Sequence, residues 1–188
     1  MNRQKKSWLL VAFLMSAGML CQAQDKYFTK TGKISFYSIT SLENVEAVNK
    51  TAGAILDAKT GSVQFAALMK GFEFKKALMQ EHFNENYIES DQYPKAEFRG
   101  SIINNADVNY AKDGTYPVKV KGQLTLHGTS KEVEAPGTLQ IQGGKVDVSS
   151  TFTVLVSDFK ISIPSIVKDK INNNVKVVVE AHLDPLKM

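Results

Sequence analysis

Cysteine is almost missing from this chain. There is one among 188 residues, Cys21, close to the N-terminus. A single thiol excludes an intrachain disulfide, so stability has to come from an ordinary hydrophobic core. Long apolar runs are also missing. The longest, Trp8 to Leu20, falls short of the roughly 20 residues that a membrane-spanning helix needs. Histidine is scarce, with only His82, His127 and His182, and none has a second His, Cys or carboxylate at metal-ligand spacing. No metal and no cofactor is therefore expected. Gly32-Lys33 has no glycine five residues earlier, so it is not a phosphate-binding loop. Linkers, low-complexity tracts and internal repeats are missing as well, and the length suits one domain.

What stands at the N-terminus is a leader. Arg3, Lys5 and Lys6 precede the apolar run, and Cys21 and Ala23 put small residues where a signal peptidase would cut before Gln24. Residues 1–23 are expected to be a secretory signal peptide and 24–188 the mature domain, placed in the periplasm or outside the cell. Leu20 precedes Cys21 where a lipidated cysteine would follow a small residue, which argues against a lipoprotein. Processing removes the only cysteine and leaves no permanent membrane span. It also removes three basic residues from the chain's 23 Lys+Arg against 19 Asp+Glu, reducing the net charge from +4 to +1. A nearly neutral mature chain without a basic stripe is a poor partner for nucleic acid.

The mature region alternates with period two. Ile34, Phe36 and Ser38 face one way; so do Val63, Phe65, Ala67 and Met69. The same holds for Val118 to Leu126, Val146 to Val156 and Val175 to Leu183. Glycine-bearing turn signals separate these runs at Lys59-Thr60-Gly61, Asp113-Gly114, His127-Gly128-Thr129 and Gly143-Gly144. Tight turns make the strands antiparallel, and about eight such strands close into a small barrel. The expected fold class is all-β, a closed antiparallel β-barrel. One segment breaks the pattern. In Lys75 to Tyr87, residues Leu78, Met79, His82, Phe83, Asn86 and Tyr87 lie on one helical face, which predicts a short helix covering the barrel. Pro94 stops it and turns the chain into a new strand.

Several stretches together resemble the YceI-like family of exported bacterial proteins. They are Gly71-Phe72-Glu73-Phe74 before the helix, Ser90-Asp91-Gln92-Tyr93-Pro94, the strand Ala96 to Ser101, Val120 to Lys131, and finally Ser157-Asp158-Phe159 with Ile163-Pro164. The resemblance covers essentially the whole mature chain. It implies a lipocalin-like barrel holding a long apolar ligand, such as a polyisoprenoid or an isoprenoid quinone. The chain departs from the family's usual pattern at Ser41 to Lys59, which is polar and Ala-rich where a Gly-Phe step is common.

The candidate lipid-binding residues are Phe36, Phe65, Phe72, Phe74, Leu78, Met79, Phe83, Tyr87, Phe98 and Phe152. They would serve equally as a solid core, and periodicity alone favours that, because small barrels fill their own interiors. The resemblance favours a cavity. Small inward residues Ala67, Gly100, Gly122 and Ser150 are expected to leave space. His82 is expected to pack on the helix face, and His127 and His182 to face solvent. Ser165-Ile166-Val167-Lys168 has the S-x-x-K spacing of acyl-enzymes but lacks the companion motifs in the required order. Asn49-Lys50-Thr51 is a glycosylation sequon that a bacterial-type exported protein rarely uses. Three functions follow: a lipid carrier that is not an enzyme, a solid-core barrel acting by protein contact, and a small hydrolase or isomerase. A monomer and a homodimer both remain open.

Overall fold

The computed structural model describes residues 25–186. The expected signal peptide and Cys21 lie outside the described residues. Nine strands follow in chain order: β1 (Lys26–Ile39), β2 (Asn44–Asp57), β3 (Ser62–Leu68), β4 (Glu73–Phe74), β5 (Lys95–Ile102), β6 (Gly114–Leu126), β7 (Thr129–Gln142), β8 (Lys145–Leu155) and β9 (Asn174–Pro185). Every pairing is antiparallel, and β1 bonds to both β2 and β9. The sheet therefore closes as an eight-stranded barrel, β1-β2-β3-β5-β6-β7-β8-β9, with β4 a two-residue addition to the first half of β2.

The turns carry out what their glycines permit. Gly61, Gly128, Gly143 and Gly144 all have positive φ, at 72°, 67°, 58° and 75°. Asp113-Gly114 does not make a hairpin. Gly114 opens β6, and the Asp113 carboxylate instead accepts the Gly143 amide at 3.0 Å, tying two loops together. The strands on either side of this loop needed a longer connection because it carries a plug. Val108 and Tyr110 turn inward and join Tyr27, Leu56, Val63, Ile102, Leu139, Ile141 and Leu183 in a buried cluster that closes one end of the barrel. Burying each such side chain contributes about 1.5–3 kcal/mol.

At the opposite end the chain is less regular. The β1–β2 turn (40–43), the stretch 69–94, the β6–β7 turn (127–128) and the segment 156–173 all meet there. The predicted helix forms as α1 (Ala77–His82), running on into a π-helical turn (Phe83–Tyr87). It starts two residues later than periodicity suggests: Lys76 is its N-cap, with extended backbone at φ −119° and ψ 125°, and the exposed Lys75 and Lys76 side chains pair with Glu46 (2.8 Å) and Glu43 (3.2 Å). In the widened turn the Ile88 amide reaches the Phe83 carbonyl at 2.9 Å. The Asn84 side chain donates to the Gln80 carbonyl at 2.8 Å, holding that turn open.

Candidate functional site

The inward positions of the strands surround a cavity of about 370 Å³. That lies toward the lower end of the range of roughly 300–1,000 Å³ for small-molecule pockets. Its deep end rests on Leu56, Ile102, Leu139 and Leu183, all buried; its other end reaches His82 and Lys170, both exposed. The cavity therefore opens at the helix end and is blind at the plug. The period-two runs place Ile34 and Phe36, Val63 and Phe65, Val120 and Leu124, Val148 and Phe152, and Val177 and Val179 along its wall.

An aromatic cluster forms the wall beneath the helix. Phe83 stacks on Phe36 with centroids 5.4 Å apart, and meets Phe74 at 5.0 Å and Phe72 at 5.8 Å. Phe36 in turn touches Phe72 at 5.4 Å and Phe74 at 5.8 Å. Offset and edge contacts of this kind contribute about 0.5–1.5 kcal/mol each beyond area burial. They fasten the helix to β1 and β4 without filling the barrel. Burial pushes the nearby Tyr87 phenol up from its ordinary value, keeping it neutral in the wall.

Nine of the ten candidate side chains line the cavity: Phe36, Phe65, Phe72, Phe74, Met79, Phe83, Tyr87, Phe98 and Phe152. Leu78 does not. It points away from the barrel and is 60% exposed, because the helix touches the sheet along a narrower stripe than its apolar residues occupy. Gly100 and Gly122 also differ from expectation. They face each other across β5 and β6, and a Cβ on either would meet the Phe98 ring at 2.7 or 2.8 Å. The space they vacate is taken by Phe98 and by close approach of the two strands. Aliphatic lining was the part missed. Ile161, Ile163, Val167 and Ile171 all reach the cavity from the irregular segment after β8, and their spacing follows neither a strand nor a long helix.

Polar groups in the wall are few and mostly engaged. The Ser150 hydroxyl donates to the Pro136 carbonyl at 2.7 Å. The Ser38 hydroxyl accepts the Asn172 amide at 2.8 Å. Glu43 is paired with Lys76. The Ala-rich stretch that departs from the family pattern forms β2, where Ala47, Ala52 and Ala54 are buried. Beside them Asn49 is fully buried, donating to the Leu68 carbonyl at 2.9 Å and accepting the Thr51 amide at 2.8 Å. As the acceptor of its sequon it is inaccessible.

The histidines divide. His82 sits exposed at the cavity mouth rather than packed. His182 is on the outer surface, half-exposed, bonded to Asp147 at 2.5 Å. His127 is not solvated: its side chain is 10% exposed, with Nε2 2.8 Å from Glu89, Nδ1 3.1 Å from the Phe159 carbonyl, and its ring against Tyr93. A positive φ of 49° in the β6–β7 turn swings it off the strand's outer face. Ser165 and Lys168 lie exposed on a single 3₁₀ turn, away from the barrel's interior wall. Among the described residues no group of three or more His, Cys, Asp or Glu side chains could hold a metal.

A closed antiparallel barrel, a plugged end and an apolar interior under a short helix define a small lipocalin-like β-barrel. The chain belongs to the YceI-like family, whose domain matches residues 27–183. Among solved structures it is similar to a polyisoprenoid binding domain from Saccharophagus degradans implicated in plant cell wall breakdown. That likeness is 13% in identity, with a TM-score of 0.75, over 87% of this chain and 99% of that one. It is also similar to BcnA from Burkholderia cenocepacia, at 20% identity and TM-score 0.62 over 81% and 94% of the two chains. The YceI protein of Campylobacter jejuni matches at 17% identity and TM-score 0.55, over 74% and 84%. At these identities the likeness carries the fold. A comparison with curated proteins found no match.

Proposed function

We propose that this protein binds a long apolar molecule, of the polyisoprenoid or isoprenoid quinone class, inside the barrel. It does so as an exported carrier whose residues 1–23 direct it to the periplasm or the outside of the cell. The observation that carries this reading is the state of the wall. It is built of Val, Leu, Ile and Phe, and the Ser38 and Ser150 hydroxyls in it already have partners. Such an interior offers a ligand contact area and almost no hydrogen bonds. Each methylene moved from water into it contributes about 0.8 kcal/mol, so a prenyl chain binds without a charged contact. The polyisoprenoid binding by the Saccharophagus degradans domain, which shares this fold, supports the ligand class. A hydrolase or isomerase needs convergent polar groups where the substrate lies, and the engaged hydroxyls do not supply them.

Native mass spectrometry of protein purified from its own membrane-rich source tests the proposal. An adduct that organic solvent extracts as an apolar lipid is the expected result. A clean ligand-free mass for folded protein, recovered without detergent, contradicts it.

A further inference from the structure

Eight large apolar side chains among the described residues are exposed, and six of them sit at the mouth end of the barrel. Ile39 and Leu42 flank the β1–β2 turn at 57% and 66% exposure; Leu78 is on α1 and Ile166, 89% exposed, on the 165–167 turn. Leu68 and Leu155 end their strands on the same side. The three mouth segments are fastened together. Lys76 on the helix pairs with Glu43 of the turn at 3.2 Å, and the Asn172 side chain donates to the Ile39 carbonyl at 3.2 Å. The segments bearing Ile39, Leu42, Leu78 and Ile166 are thus tied together as a rim at the opening.

The rim is continuous with the cavity. Met79 lines the interior while its neighbour Leu78 points out; Val167 lines the interior while Ile166 points out. Apolar side chains of the helix and of the 165–167 turn thus face both the cavity and the outside, with Glu43, His82 and Lys170 beside them at the mouth. We infer that this end of the barrel docks on the surface of a lipid bilayer. Leu42, Leu78 and Ile166 insert among the acyl chains, and the cargo passes between bilayer and barrel without crossing water. The inference rests on the lipid cargo proposed above.

A bilayer suits this patch better than a second copy or another protein. A protein seated on the rim would seal the opening that the cargo needs. Charge gives no direction to an acidic or basic partner: Lys75 and Lys76 are taken by Glu46 and Glu43, and Asp169 separates Lys168 from Lys170. Docking therefore depends on apolar insertion rather than on anionic headgroups, with the lysine stems reaching back toward the headgroup level. Among the described residues no helix is long and apolar enough to cross a membrane, and the inferred contact is made by rim side chains alone.

Flotation of the purified protein with phosphatidylcholine vesicles tests this, with intact mass showing that all variants share one N-terminus. Wild type is expected to float, and to do so in high salt as in low. The pair Leu42→Asp with Ile166→Asp should lower the vesicle partition coefficient at least tenfold, equivalent to about 1.4 kcal/mol. Ile103→Asp, at the plugged end, should leave it unchanged. Circular dichroism confirms that each variant is folded. Wild type that stays at the bottom, floats only in low salt, or loses flotation equally through Ile103→Asp overturns the inference. So does a wild-type dimer that the paired substitution splits and that ignores vesicles. Extracting lipid from the same samples separates the two claims. Ligand-loaded protein that does not float sinks the rim alone, whereas vesicle-bound protein that never carries or takes up apolar ligand sinks the carrier function.

Discussion

Tyr110 is wedged into the plug, its ring 6.1 Å from that of Tyr27 and its hydroxyl donating to Asn105 at 2.8 Å. Burial, helped by Tyr27 and Asp57, pushes its phenol far above the ordinary value. Tyr27 is raised too, first by burial and then by Asp25. An unfolded tyrosine ionises near pH 10, so above about that pH the unfolded chain gives up a proton that the folded one keeps. The neutral phenol's contribution is therefore complete below about pH 10 and is lost as pH rises beyond it. Thermal melts of wild type and Tyr110→Phe should reveal this. The variant starts about 1 kcal/mol less stable, through its lost hydrogen bond, and the gap narrows above about pH 10. Parallel melting curves would show that the phenol is not held neutral. At the same scale, Gly122→Ala forces a methyl against Phe98 and the facing strand, and should lower the urea-unfolding free energy by about 1–3 kcal/mol. The inward direction of Gly100 and Gly122 was legible from alternation with Phe98, Val120 and Leu124. What fills their space was not, because a ring folding back over its own strand leaves no trace in a period of two. His127 was illegible for a similar reason: Glu89 and Phe159 are 38 and 32 residues away in sequence.

The helix and the loops at the mouth act as elements. Phe83 holds the helix through contacts to three other phenylalanines, all from positions 36–74. Phe83→Ala should cost up to about 3 kcal/mol and loosen the helix. Phe83→Asp should in addition weaken retention of bound lipid, since it places a charge on the wall. Lipid retained as in wild type by a folded Phe83→Asp protein would remove the helix from the ligand site. His127 joins three elements, the turn after β6, the stretch after the helix and the 156–159 turn. Hydrogen exchange should show faster opening of 88–93 and 156–161 together in His127→Ala, with the β7–β8 hairpin unaffected. Independent exchange of the two stretches would mean that His127 does not couple them. The helix was legible in Leu78, Met79, His82 and Phe83, although its apolar face is wider than its contact with the sheet. Its π-helical end was not legible, since Asn84 bonding to Gln80 depends on which backbone carbonyl lies open.

For the whole molecule, closure follows from antiparallel pairing of each strand with the next around the ring, completed by β1 pairing with β2 on one edge and β9 on the other. The runs at 118–126, 146–156 and 175–183 and the turns at Gly128 and Gly143-Gly144 made this much plain in the sequence. A cavity rather than a filled core was a different matter. Inward Val, Phe and Ala suit both, and the outcome depends on how the aromatics tilt toward the helix and on where the segment 156–173 lies. The central claim is that this interior exists to hold an apolar chain. It is tested most directly by counting lipid per protein in wild type and in Ala135→Phe, whose new ring would occupy the cavity that Ala135 lines. One extractable apolar chain per folded wild-type protein, and a large loss of it in a stably folded Ala135→Phe, is the expected result. Equal lipid in both, or none in either, would contradict it.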